Sequence, residues 1–244
     1  MMEHAGEKTV AMQLRPASSS ASLVRTTIST LGKDLRLEWR SKDALNAMLF
    51  FALLVVVIFS FAFEPTAEEA RRITGGLVWV AFLFSSTMAL NQSWARELRH
   101  QSLDAFRISG APADALFLGK AIGNFIFVAL LEAIVAPLFV VFFNLTISQG
   151  AGALLWVFVL GTWALVVNGA FFAALSLRTR SRELMLPLLL FPISIPALLA
   201  MVSATSAILT GDDSPTLGLQ FLAVYDIVFT TVCLSLFETV LHAE

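Results

Sequence analysis

Two carboxylates stand in parts of this chain where water is scarce. Glu132 lies inside "FVALLEAIVAPLFVVFF", from Phe127 to Phe143, and Asp226 inside "LGLQFLAVYDIVFTTVCLSLFETV", from Leu217 to Val240. A charge at the centre of an apolar helix costs about 2.5–3.5 kcal/mol on insertion scales, so such a group faces protein or water rather than hydrocarbon. Neither segment contains a Lys or Arg to pair with its acid. Asn124, Thr162 and Asn168 are the polar side chains in neighbouring apolar segments that can hydrogen-bond across helices. Two uses of the acids follow: a strut between helices, or a contact with a substrate or gate in an internal cavity. A third carboxylate, Glu238, falls near the end of its apolar segment and reaches the interface.

Other chemistry is missing. No G-x-x-x-x-G-K-[ST] occurs, and the nearest string, "GAPADALFLGKA", has the wrong spacing, so no nucleotide is bound by that motif. H-E-x-x-H and G-x-S-x-G are also absent. The three histidines, His4, His100 and His242, lie outside the apolar segments, so none is an axial heme or metal ligand at membrane depth. The basic residues flank apolar runs, which gives nucleic-acid binding no support. Cys233 is the single cysteine and excludes an intrachain disulfide. The expectation is a non-enzymatic chain with no metal site and no firmly held cofactor.

The elements that position these groups are membrane helices. Mean hydropathy is +0.80, and charged residues make up 14% of the chain, against about 25% in soluble domains. No charge occurs from Ala44 to Phe63, from Ala133 to Leu177, or from Leu184 to Gly211. A helix needs about 20 apolar residues to cross a bilayer, so the first and third runs are one span each. The second is long enough for two, and the turn sequence "NLTISQGAG" divides it. Ile73–Ser93 and Leu217–Val240 add two spans that carry a few polar residues. Together with the Glu132 segment, from about Ala115 to Phe143, the reading is an all-α membrane protein with six transmembrane helices. The runs lack the period-2 alternation of barrel strands and exceed their length.

Of the 16 Lys and Arg residues, all except Arg71 and Arg72 fall on the side of the membrane that holds the N-terminus. The positive-inside rule makes both termini cytoplasmic. Residues 1–22 are polar, lack the apolar core of a signal peptide, and read as a disordered extension. Residues 23–43 place Val24, Ile28, Leu31, Leu35 and Trp39 on one helical face. Lys33, Asp34, Arg36, Arg40 and Lys42 occupy the rest, the pattern of an interfacial helix with its basic residues toward lipid headgroups. Residues 44–244 form the transmembrane domain, with a cytoplasmic loop at 94–114. Within that loop, Leu98, Leu103 and Phe106 are apolar among charges, before Gly110 and Pro112 end any helix. They suit either a knob that docks on a partner or anchoring points of a solvated loop.

In the fifth span, Pro187, Pro192 and Pro196 predict a broken or strongly bent helix and hence a moving or re-entrant element. Small residues recur at i, i+4 at Ala81, Ser85 and Ala89, and again at Gly119 and Gly123. These are faces for close helix packing.

Several of these segments together resemble the CcmB family, the heme-exporter membrane proteins of cytochrome c maturation. The similar features are "WVAFLFSS" (Trp79–Ser86), "SLD" (Ser102–Asp104), Pro112, "LGK" (Leu118–Lys120), "APLF" (Ala136–Phe139), "LPLLLFPISIPALL" (Leu186–Leu199) and the "KDLRLEWRSKD" opening. The resemblance runs from about Leu23 to the C-terminus. It implies the six-span architecture of ABC-2-type permeases in the bacterial inner membrane. It also implies ATP hydrolysis on a separate CcmA-like subunit, CcmC-like and CcmD-like membrane partners, two permease copies per complex, and heme as the substrate. On this reading Leu98, Leu103 and Phe106 dock on the ATPase, and Asp104 and Arg107 pair with its charges. A permease for another amphipathic substrate and a non-transporting scaffold are the alternatives.

Overall fold

The computed structural model describes residues 20–62, 67–99, 106, 111–145, 150–177, 179, 181–211 and 214–242. Seven long helices account for nearly all of them, without a strand among the described residues. They are α1 (Ser20–Ser41), α2 (Asp43–Ala62), α3 (Ala67–Arg99), α4 (Ala113–Phe142), α5 (Ala151–Ser176), α6 (Arg182–Thr210) and α7 (Thr216–His242). Helices α2 to α7 each contain an apolar stretch long enough to cross a bilayer. Backbone amides in hydrocarbon must be satisfied within their own segment, so an open chain crosses only as helix.

α3 is the most enclosed span, and α2 and α7 are the least. The main core gathers Trp79 and Phe82 of α3, Val128 and Leu131 of α4, Val157 and Leu165 of α5, and Met201 of α6. A second cluster, with Leu90, Trp94, Phe117, Phe171, Leu186 and Phe237, occupies the end of the bundle where α3 finishes and α4 begins. The outer surface is apolar as well: Phe50, Phe61, Leu155, Leu188, Leu199 and Leu217 are all exposed. A lipid environment supplies the contacts such a surface lacks in water.

Three expectations change. First, α3 continues through Trp94 to Arg99, so the start of the 94–114 loop is transmembrane helix, with Trp94 and Glu97 buried. Second, the three prolines do not break α6, which runs unbroken from Arg182 to Thr210, so of the two expected outcomes the broken or re-entrant one is set aside and the bent one stands. Neighbouring helices can satisfy carbonyls that a proline frees. Within the same stretch the Tyr225 hydroxyl on α7 donates to the Ile193 carbonyl at 2.9 Å, which ties α6 to its neighbour between Pro192 and Pro196.

The third change concerns α1. Its exposed side carries Val24, Ile28 and Trp39, while Thr27, Thr30, Asp34 and Glu38 are buried. Arg36 and Arg40 remain exposed as expected, but Asp34 turns inward. The polar side meets complementary charge on α3 and α4, and the apolar side is left for lipid, where its exposure costs little. Gly119 permits the close approach: a Cβ there would lie 2.7 Å from that of Thr30. Gly123 also faces α1, close to Leu31 and Asp34.

Candidate functional site: a buried charge cluster and two intramembrane acids

Local helix geometry builds the first site. Thr27, Thr30, Asp34 and Glu38 are spaced three or four apart, which aligns them on one face of α1. That face lies on α4, two turns into which stands Lys120, an almost completely buried cation. The Lys120 Nζ is 2.8 Å from Asp34 Oδ2 and 2.6 Å from Glu97 Oε1. Lys33 reaches the same Glu97 oxygen at 2.6 Å and Asp34 Oδ1 at 3.7 Å. Arg96 pairs with Glu38 beside them. Lys120 also sits 5.6 Å from the Trp94 ring centroid, within cation–π range. It approaches the Ser93 carbonyl and hydroxyl at 3.4 Å, and Asn124 Nδ2 approaches that hydroxyl at the same distance.

This cluster joins three helices by mutual neutralisation. Among the described residues three cations face three carboxylates, and each carboxylate is largely removed from solvent. Such groups are tolerated at depth because each has an opposite charge within contact distance. The physical consequence of the arrangement is a rigid link between α1, the exit of α3 and the entry of α4.

The second site is within the spans. The Thr162 hydroxyl on α5 donates to Glu132 Oε1 on α4 at 2.5 Å. Glu132 is therefore held as an interhelical strut. Asn168 does not reach an acid: its Nδ2 donates to the Tyr225 hydroxyl at 2.9 Å, which donates in turn to the Ile193 carbonyl. That chain ties α5, α7 and α6 together. Asn124 likewise turns to its own helix, donating to the Lys120 carbonyl at 2.8 Å. Asp226 is buried on α7, and neither carboxylate oxygen has a hydrogen-bond partner among the described residues. The two acids thus differ in environment, and the structure does not bring them together in one site.

A third feature is a cavity of about 420 Å³ lined by Thr74, Val78, Pro137, Phe139, Leu154 and Phe158 among others. Its wall is almost wholly apolar, and Thr205 within it already accepts a hydrogen bond from Trp79 at 2.9 Å. It can hold hydrocarbon or a flat apolar group and offers little for fixing a charge.

Of the expected docking residues, Leu98 is exposed at the end of α3, and Phe106 packs partly buried against the second core cluster. Leu103, Asp104 and Arg107 lie outside the described residues, as do residues 1–19 of the expected N-terminal extension. Sequence reading missed Asp34, Glu38, Glu97 and Lys120 as a unit. Two signals were present: the 27–30–34–38 polar spacing on α1, and a lysine between two small-residue positions inside an apolar span.

A family model described as CcmB protein matches residues 25–242. The chain is similar to the Heme exporter protein B of Rhodobacter capsulatus, with 35% identity over 172 residues, covering 69% of this chain and 77% of the relative. It is 31% identical over 208 residues to the Heme exporter protein B of Paracoccus denitrificans, covering 84% and 92%. The Pseudomonas aeruginosa protein of the same name is 31% identical over 182 residues, covering 74% and 81%.

Proposed function

The chain belongs to the CcmB protein family, and from that membership we propose that it is the permease component of an ATP-driven complex handling heme for cytochrome c maturation. The observation that carries this reading is the extent of the family match. It runs from residue 25 to residue 242 and so takes in the interfacial helix and all six spans. The relatives are themselves called heme exporters. The distribution of basic residues supports a cytoplasmic N-terminus, α3–α4 connection and C-terminus, and the bacterial relatives support spans in an inner membrane.

ATP is hydrolysed on a separate, CcmA-like subunit that docks at the α3–α4 connection. Leu98 and Leu103 supply apolar contacts there, and Asp104 and Arg107 supply charge pairing. Phe106 adds to this contact by tethering the connection to the bundle. The charge cluster then gives force applied at that connection a stiff path into α1 and α4. CcmC-like and CcmD-like membrane proteins complete the complex, with two copies of this chain. Heme is handled as substrate, held by apolar packing or released from a partner, because no span contributes a histidine.

The test is co-purification and complementation. Leu103→Ser combined with Phe106→Ser should lower ATPase recovery about tenfold or more, as loss of an interface hot spot does. Membrane insertion should be unchanged. Wild-type recovery of the ATPase would refute docking at this connection. In a host deleted for its own copy and complemented with this chain, cytochrome c should accumulate only when the ATPase is active. Maturation with an ATPase-dead complex would instead assign a scaffold.

A further inference from the structure

Asp226 lies in an open groove of about 480 Å³ between α5 and α7, bordered by Phe125 of α4. Val159, Trp163, Asp226, Ile227 and Thr230 line it. The carboxylate is more than nine-tenths buried within the chain, and both its oxygens lack a partner among the described residues. Of the neighbouring polar groups, Trp163 Nε1 donates to Thr230 Oγ1 at 3.0 Å and the Thr231 hydroxyl donates to the Ile227 carbonyl at 2.7 Å, so neither of these donors is turned to the acid. Around the groove the surface is apolar: Phe221, Val224, Ile227 and Val228 of α7 and Leu155 and Trp156 of α5 are exposed.

Depth restricts what can occupy this groove. At 1.5 Å per residue, Asp226 stands about 15 Å along α7 from Thr216, near the middle of a hydrocarbon core about 30 Å thick. Lipid headgroups are out of reach, and acyl chains carry no donor. From Ala121 to Leu241 the only basic residues are Arg178, Arg180 and Arg182, all beside the α5–α6 connection. A cationic donor at this depth therefore points to a membrane-spanning polypeptide other than this chain, whose spans carry no Lys, Arg or His there.

We propose that the groove is a docking site for a transmembrane helix of another membrane protein, with a Lys, Arg or His side chain that donates to Asp226. The flanking apolar face packs that helix, and the acid sets its register and depth. This surface is distinct from the ATPase-docking connection, and its assignment does not depend on which substrate the complex handles.

A photoreactive benzoylphenylalanine placed at Ile227, and separately at Val159, tests the proposal in the full chain in its native membrane. The expected adduct maps by mass spectrometry to a transmembrane segment of a different polypeptide, with one of those donors within one turn of the cross-linked residue. Asp226→Leu should reduce that adduct about tenfold, on the scale of interhelical hydrogen bonds in membranes. The isolated Asp226→Leu chain should melt in detergent at or above the wild-type temperature, because it no longer buries an unpartnered carboxyl. Absence of an adduct at both positions, adducts only to lipid or to a second copy, or an undiminished adduct in Asp226→Leu overturns the proposal. A melting temperature well below wild type would also overturn it, by giving Asp226 an internal role.

Discussion

Removing the Lys120 ammonium would take from the buried Asp34 and Glu97 the one fully buried cation they share, and leave the half-exposed Lys33 beside them. Breaking a buried ion pair from one side costs about 3–5 kcal/mol, because the remaining charge is uncompensated. Lys120→Met should destabilise the chain by about that amount in a denaturant titration in detergent. Adding Asp34→Leu and Glu97→Leu should recover most of it. A neutral Lys120→Met would show that the cluster does not hold the helices. Glu132 calls for a different comparison, since its one named partner is a hydroxyl. Thr162→Val should cost about 1–3 kcal/mol by leaving the acid without that donor. In a double-mutant cycle, Glu132→Leu should make Thr162→Val nearly silent. Additive losses would mean that the two groups act separately. If Glu132→Leu also preserves cytochrome c maturation, its role is confined to packing.

Among the elements, α1 departs most from its sequence pattern. Its 23–43 apolar stripe suggested an interfacial helix with charges outward, and the stripe does form. What the stripe omits is the opposite face, where Thr27, Thr30, Asp34 and Glu38 turn toward α3 and α4 rather than water. The seat depends on Gly119, where any side chain meets Thr30. Gly119→Val should separate α1 from α4, cost about 1–3 kcal/mol of packing, and speed tryptic cleavage at the exposed Arg36 and Arg40. Gly76→Val, with open space around its Cβ position, is the control that should leave cleavage unchanged. Equal cleavage rates for the two variants would remove Gly119 from this role. α6 makes a related point. Its prolines signal a weak backbone, yet the signal says nothing of Tyr225, a residue on another helix that donates beside Pro196.

The molecule as a whole is a bundle whose outer surface requires lipid, and its orientation is open to direct test. Cys233 is the single cysteine and is buried, so it adds little background to thiol labelling. A cysteine introduced at Ser214, between α6 and α7, should react with an impermeant maleimide added outside intact cells. One at Lys42, between α1 and α2, should react only after the membrane is opened. The reverse pattern would invert the proposed topology and move the ATPase-docking connection to the wrong compartment.

The number of spans was legible from sequence because lipid imposes a local rule: a segment of sufficient length and apolarity must become helix. The same rule located Glu132 and Asp226 as acids at depth, and the order of motifs pointed to the family. Which charges would be neutralised was not legible. Asp34, Glu97 and Lys120 come from three separate helices and meet only when those helices pack. Thr162 reaches Glu132 from the next span, whereas Asp226 meets no donor at all among the described residues. Composition and periodicity describe one helix at a time. Electrostatic pairing depends on the distance between helices, and that distance exists only in the folded bundle.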